Sequence, residues 1–104
     1  MPKSRSAYRE FPNVSKYLSE KIFRRRKEMK LSQSALAERT GLTRNCIQQM
    51  ECHEHLPLPS TMFKLTKALE FSEEETARFW EELEDAYQQD RMLQEAKSGT
   101  LEKV

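Results

Sequence analysis

Glycine, proline and cysteine are scarce in this chain of 104 residues, which contains 2 Gly, 4 Pro and 2 Cys. Because tight β-hairpin turns depend on Gly and on Asn-Gly or Asp-Gly pairs, the shortage of Gly argues against a β-rich fold. Two cysteines are too few to cross-link a small secreted scaffold. Leu, Glu, Lys, Arg, Gln and Met, which favour helices, are abundant, and the composition therefore predicts an all-α protein.

Long apolar segments are missing as well. No run of about 18 apolar residues occurs, and residues 1–20 contain no apolar stretch typical of a secretory signal. We therefore expect a cytoplasmic protein that has no membrane partner and keeps its thiols reduced. With 37% hydrophobic and 34% charged residues, the chain fits a single small domain.

The net charge of +1 conceals a strong asymmetry along the chain. Residues 1–50 contain 12 Lys and Arg against 4 Glu, whereas residues 51–104 contain 6 Lys and Arg against 13 Asp and Glu. The N-terminal half therefore carries a charge of +8 and the C-terminal half a charge of −7. A basic half attracts polyanions such as nucleic acid, while an acidic half faces solvent or another protein.

Apolar residues recur at helical spacing in five segments, which predicts five helices. The N-caps Asn13, Ser32 and Thr43 precede the first three helices, a proline opens the fourth, and a capping-box pair opens the fifth. The predicted helices cover about residues 14–29, 33–40 and 44–52, a segment beginning at Pro59, and a segment from Ser72 and Glu75 to about Lys97.

The segment Gln33–Glu51 has the residues that a helix-turn-helix unit needs. Ala37 is small enough for the second helix to approach the first, and Gly41 permits the backbone to reverse between them. The wedge between the two helices is filled by Leu36, Leu42, Ile47 and Met50. Such a unit fixes the crossing angle and lets its second helix enter the major groove of DNA.

Further residues on both sides of this segment resemble the lambda-repressor-like (XRE-type) helix-turn-helix family. The resemblance extends from about Leu18 to Ser72, and it rests on Leu18, Ile22, Arg26-Lys27, Leu31-Ser32-Gln33, Ala37, Gly41, Leu42, Ile47, Glu51, Pro57 and the run 64–69. It implies a compact all-α domain of five helices that binds a double-stranded DNA operator. The chain departs from the family pattern at Lys30 and His53, where glycine is usual, and at Arg25, where an apolar residue is expected.

The resemblance also implies individual roles, and the chemistry of the side chains agrees with it. Arg44 can donate two hydrogen bonds to guanine, and Asn45 or Gln49 can bind adenine through two hydrogen bonds. Backbone amides at the starts of the second and third helices suit phosphate oxygens. We expect bases to be read by Arg44, Asn45, Gln48 and Gln49, phosphates to be bound by Gln33, Ser32, Thr43, Arg24 and Lys27, and a partly buried ion pair to join Arg26 and Glu51.

These patterns divide the chain into four parts. We expect a flexible basic arm over residues 1–12, which orders only on a partner, and a helix-turn-helix DNA-binding domain over residues 13–72. A C-terminal helix over residues 73–97 completes the core, and residues 98–104 form a disordered tail.

The predicted fifth helix is longer than closure of the core requires, and its apolar stripe lies on an acidic background. In one interpretation Phe79, Trp80 and Leu83 pack under the first and fourth helices, and the remainder is a solvated extension. In the other, which we favour, the helix forms a homodimer and places two recognition helices about 34 Å apart on a two-fold operator. The candidate dimer contacts are Trp80, Leu83, Tyr87 and Leu93.

Catalytic and metal-binding patterns are weak. Cys46 and Cys52 lie six residues apart, on opposite sides of a helix, and with His53 and His55 they do not form a spaced pair of zinc-ligand motifs. The sequence contains no Gly-rich phosphate loop and no plausible Ser-His-Asp set. We therefore expect neither an enzyme nor a cofactor or metal.

The sequence predicts a sequence-specific DNA-binding transcriptional regulator, with repression favoured over activation. An antitoxin that binds its own promoter and holds a toxin through its acidic C-terminal helix is a related alternative. A protein-interaction module that has lost DNA recognition is a third.

Overall fold

The structure is a computed structural model that describes residues 10–52 and 56–102, with side chains described up to residue 96. Within these ranges it contains five helices and no strand, which confirms the predicted all-α fold. The helices are α1 (Pro12–Glu28), α2 (Gln33–Thr40), α3 (Arg44–Glu51), α4 (Pro59–Ala68) and α5 (Glu73–Glu102). None of the helices in these ranges is both long enough and apolar enough to cross a membrane.

Most helix boundaries agree with the sequence to within two residues, and α5 is the exception. It has 30 residues and ends at Glu102, whereas the sequence predicted an end near Lys97 and a disordered tail over residues 98–104. Ser98 and Gly99 lower helix propensity by only about 1 kcal/mol each at most, which is too little to end a long helix. Residues 1–9 of the predicted basic arm lie outside the described part of the chain.

Three of the predicted caps are present. The Ser32 side chain accepts a hydrogen bond from the Ala35 amide at 3.0 Å, and the Thr43 side chain accepts one from the Cys46 amide at 3.0 Å. At the start of α5 the Ser72 amide donates to Glu75 at 2.8 Å, while the Glu75 amide donates to Ser72 Oγ at 3.1 Å. The bond from the Ser72 amide is the main reason why the pKa of Glu75 lies below its ordinary value.

The N-terminus of α1 is capped by a residue from the other end of the chain, not by Asn13 as predicted. The helix begins at Pro12, so Asn13 lies inside its first turn, and Phe11 at the N-cap position makes no side-chain cap. Instead the Asp90 carboxylate of α5 accepts bonds from the Asn13 amide at 3.0 Å, from Asn13 Nδ2 at 2.8 Å and from the Val14 amide at 3.0 Å. Asp90 is 1% exposed, and this buried carboxylate therefore fastens α5 to the start of α1.

Two turns between helices use left-handed backbone at residues that are not glycine. Lys30 after α1 has φ 59° and Glu70 after α4 has φ 57°. Both turns are closed by paired bonds to the preceding helix; at the first, the Lys30 and Leu31 amides donate to the Lys27 and Arg26 carbonyls, each at 3.0 Å. A side chain in this conformation costs roughly 1 kcal/mol relative to glycine. The turn after α1 thus keeps the geometry that glycine usually supplies, although it contains Lys30.

The buried apolar residues form two clusters. The first joins α1, α2, α3 and α4 and contains Ile22, Leu36, Ala37, Ile47, Met50, Leu65 and Leu69. The second joins α1 to α5 and contains Val14, Leu18, Phe79, Leu83 and Ala86. Residues of α5 therefore complete the core of the domain.

The second cluster corrects part of the predicted dimer interface. Leu83 is only 9% exposed and packs within the same chain, because its position on α5 faces α1. Trp80 is half-buried, with its ring 5.2 Å from that of Phe79 and 5.7 Å from that of Phe63. Of the four residues proposed for the dimer, Tyr87 and Leu93 are exposed, at 39% and 52%.

Arg25 occupies a position where an apolar residue is expected, and it packs on an aromatic ring there. Its guanidinium lies 5.4 Å from the centre of the Phe71 ring. Its Nε donates to the Leu69 carbonyl at 2.9 Å and its Nη2 to the Glu70 carbonyl at 3.0 Å. Arg25 thereby covers the core with its side chain and binds the carbonyls of the two residues that follow α4.

The role of Asp90 predicts a large effect of its removal. Asp90→Ala leaves the first amides of α1 without partners, and we expect the free energy of unfolding to fall by about 2–3 kcal/mol. The measurement is urea unfolding followed by circular dichroism. Asp85→Ala, at an exposed acid of the same helix, is the matched control and should change stability by less than about 0.5 kcal/mol. Equal stability of the two variants would contradict the assignment.

Candidate nucleic-acid interface

The helix pair α2 and α3 is fixed by its buried side and by the turn between the helices. Leu36 and Ile47 are both 0% exposed, so each helix directs one face into the first cluster. Gly41 ends α2 with φ 75°, and the Leu42 amide donates to the Ala37 carbonyl at 3.1 Å. The position of α3 on the domain is thus set by packing and by a left-handed turn at glycine.

The other side of α3 is polar and fully open. Its four predicted base-reading residues, Arg44, Asn45, Gln48 and Gln49, are all exposed, while Ile47 and Met50 on the opposite side are buried. None of the four side chains makes a hydrogen bond or ion pair with another residue in the described part of the chain. α5 lies against α1 and leaves this face uncovered. The donors and acceptors of these four side chains are therefore available to an external partner.

The predicted phosphate-binding residues lie in different settings. Ser32 and Thr43 are exposed, and although their oxygens accept the capping bonds, their hydroxyl protons are free to be donated outwards. Lys27 is exposed on α1, with its ammonium 5.6 Å from the centre of the Phe23 ring. Arg24 is exposed one turn earlier. Gln33 differs from the others, because its Nε2 donates to Glu51 Oε1 at 3.0 Å.

Arg26 and Glu51 form a nearly dry ion pair. Arg26 Nε donates to Glu51 Oε2 at 2.7 Å and Nη2 to Oε1 at 2.9 Å, and the side chains are 7% and 5% exposed. The remaining Arg26 nitrogen, Nη1, donates to the Leu31 carbonyl at 2.8 Å. These bonds connect the last turn of α1, the following turn and the last residue of α3, so they orient α3.

An open groove lies between the end of α1, the start of α2 and the start of α3. Its volume is about 590 Å³, and it is lined by Arg26, Lys27, Lys30, Leu31, Ser32, Gln33, Ser34 and Arg44. Four lining residues are cationic and none is acidic. The groove thus brings together three of the predicted phosphate ligands, Ser32, Gln33 and Lys27, with one predicted base reader, Arg44. Thr43 and Arg24 do not line it.

Lys30 and Ser34 belong to this groove but were not predicted as site residues. The sequence did carry a signal for Lys30, since a lysine stands where the family has glycine. That Lys30 lines the groove could not be read from helical periodicity, because the residue lies outside α1 with a left-handed backbone.

The two cysteines lie in unlike surroundings. Cys46 is half-buried on α3, where burial raises the pKa of its thiol and lowers its reactivity, whereas Cys52 is exposed. No group of three His, Cys, Asp or Glu side chains in the described ranges is placed to hold a metal ion. His53 and His55 lie outside those ranges.

Comparison with known proteins gives one match. The sequence matches the family described as helix-turn-helix, of the XRE or lambda-repressor-like type, over residues 22–75, which is just over half of the chain. The matched range includes α2, α3, α4 and the whole groove. No curated protein and no solved structure matches the chain significantly.

The Arg26–Glu51 pair predicts an unequal response to single and double substitution. Arg26→Met leaves the Glu51 carboxylate buried without its partner, and we expect the free energy of unfolding to fall by about 3–5 kcal/mol. Replacing both residues, Arg26→Met with Glu51→Leu, removes both charges and should recover most of that loss.

The free energy of unfolding of both variants is measured by urea unfolding. Lys27→Met, at the exposed neighbouring position, is the control. A double variant that is no more stable than Arg26→Met would show that the site does not penalise the unpaired carboxylate.

Proposed function

The chain belongs to the lambda-repressor-like helix-turn-helix family, and on this premise we propose that it is a cytoplasmic transcriptional regulator that recognises specific double-stranded DNA. The observation that carries the proposal is the exposed polar face of α3, formed by Arg44, Asn45, Gln48 and Gln49, whose side chains have no partner among the described residues. Arg, Asn and Gln are residue types that bind base edges in the major groove of DNA. The basic groove of the protein adjoins this face at Arg44.

The electrostatics of the domain support one orientation on DNA. The face that contains α3 and the groove is rich in Arg and Lys, while the exposed acids Glu81, Glu84 and Asp85 lie on α5. Phosphates attract the first face and repel the second, so the protein approaches a duplex with α3 forward. This charge separation argues against an interaction module that has lost DNA binding.

We propose repression as the outcome of binding. Occupation of an operator is sufficient to block access to a promoter, whereas activation requires an additional contact with the transcription machinery. The exposed polar face of α3 supports occupation of an operator.

A homodimer is the form that we propose to bind a two-fold operator. Its support comes from the stripe of α5 residues that faces α1. Leu83, Ala86 and Asp90 are buried along this stripe, and Leu93, three residues later, continues it but is 52% exposed. The described residues leave Leu93 half exposed at the end of this stripe, and we propose that a second copy of the chain covers it.

The antitoxin alternative rests on the same end of α5. Met92 is 67% exposed beside Leu93, on a helix with an acidic surface that suits a basic protein partner. Recovery from the native cell of a different protein in a fixed ratio to this chain would support that alternative over the homodimer.

DNA recognition by α3 predicts a loss of sequence preference. In Arg44→Ala we expect one base preference to relax and affinity for the selected site to fall by about 1–3 kcal/mol, because a bidentate contact with guanine is removed. The measurement is selection of bound sequences from a random duplex pool, followed by titration of wild type and variant. Arg78→Ala, an exposed arginine on α5, is the control and should leave the preference unchanged. If Arg44→Ala weakened all sequences equally, the residue would bind the backbone and not a base.

Dimerisation through the end of α5 predicts different outcomes at two leucines. Leu93→Glu should give a folded monomer, because it places a charge in the proposed contact, whereas Leu83→Glu should unfold the domain, because that side chain is buried. Mass in solution and circular dichroism distinguish the two results. Met92→Glu, which points to another side of the helix, serves as the control. An unchanged mass for Leu93→Glu would refute this interface.

A further inference from the structure

Lys30 occupies a left-handed position where glycine would be less strained, and no side-chain contact among the described residues accounts for a lysine there. It has φ 59°, in the left-handed region that favours glycine. Glu70 is the natural comparison, with φ 57° in the equivalent turn after α4. The Glu70 carboxylate pairs with Arg39 at 3.5 Å, whereas the Lys30 ammonium has no ion pair or hydrogen bond with any part of the chain that the structure describes.

The surroundings of Lys30 indicate what would pair with it. Lys30 lines the groove between α1, α2 and α3, in which no carboxylate is a lining residue. Arg26 in this groove is neutralised by Glu51, which leaves Lys27, Lys30 and Arg44 without acidic partners among the described residues. Three uncompensated cations around one opening attract an anion.

A second feature of the groove favours a phosphate group in particular. The start of α2 opens into it, with Ser32, Gln33 and Ser34 among the lining residues. The backbone amides of a first helical turn and the positive end of the helix dipole suit tetrahedral oxyanions. Hydroxyl groups of Ser32 and Ser34 add donors at the same edge.

We propose that Lys30 binds a backbone phosphate of duplex DNA in this groove while α3 occupies the adjoining major groove. The inference rests on the proposed function, and it assigns to Lys30 a role that Gly at this position could not perform. Lys30 lines the groove from its left-handed position just after α1. The strain is therefore retained because the charge at this point contributes to binding.

Under this proposal, the substitution Lys30→Gly should raise the stability of the fold and lower the affinity for DNA. Lys30→Gly removes the strained side chain, so the urea midpoint of unfolding should rise. The same change removes one phosphate contact, so affinity for a mixed-sequence DNA duplex should fall about five- to tenfold near 0.1 M salt. The slope of log affinity against log salt concentration should decrease by about 0.9.

Three further variants make the test specific. Lys30→Ala should lower the affinity and the salt slope as Lys30→Gly does, without raising the urea midpoint, because it keeps a side chain on the left-handed residue. Lys30→Arg should retain the salt slope. Lys64→Ala, at an exposed lysine of α4 that does not line the groove, should leave affinity and slope unchanged.

The outcomes separate this inference from the proposed function. Wild-type binding with an unchanged slope in Lys30→Gly, or an equal loss in Lys64→Ala, would overturn the role of Lys30 and leave DNA binding in place. Absence of DNA binding by the wild type at low salt would overturn both. A lower slope in Lys30→Gly and Lys30→Ala, with wild-type values in the other two variants, establishes the phosphate contact.

Discussion

An ion pair with almost no contact with solvent joins Arg26 at the end of α1 to Glu51 at the end of α3. Glu51 also accepts a hydrogen bond from Gln33 at the start of α2, and Arg26 also donates to the Leu31 carbonyl between α1 and α2. All three helices that surround the groove are therefore tied to one carboxylate and one guanidinium. Packing alone allows helices some freedom to rotate, whereas a bidentate pair fixes distance and angle together. The proposed recognition face depends on that geometry.

The same network changes the view of Gln33. The family resemblance implies that it binds phosphate, yet in the unbound protein its amide nitrogen is directed to Glu51. A glutamine amide has two N–H groups, so this contact orients the side chain and leaves one donor. Under the proposed function, Gln33 couples the ion pair to a bound phosphate, and the groove cations Lys27 and Lys30 complement it.

Helix α5 combines a structural and a proposed binding role along its length. Its first half supplies Phe79, Leu83 and Ala86 to the core, and Asp90 then caps α1 across 77 positions of sequence. Beyond Asp90 the Gln94 side chain still donates to the Glu10 carbonyl at 2.7 Å, but Leu93 is half exposed. The stability of the DNA-binding domain therefore includes α5, so substitutions that probe association must spare the segment up to Asp90.

Local patterns in the sequence determined the helical class, the helix boundaries near Ser32, Gly41, Thr43 and Ser72, and the polar residues of α3. These features depend on interactions within a few residues, namely capping bonds, left-handed glycine and helical periodicity, which the sequence displays directly. The burial of Leu83, the role of Asp90 and the place of Lys30 in the groove depended instead on the tertiary structure. Each of these features involves a partner or a surface formed by distant segments of the chain. Helical spacing cannot distinguish an apolar residue that faces its own core from one that faces another chain. It also cannot distinguish a polar residue that interrupts an apolar stripe from a buried cap of another helix.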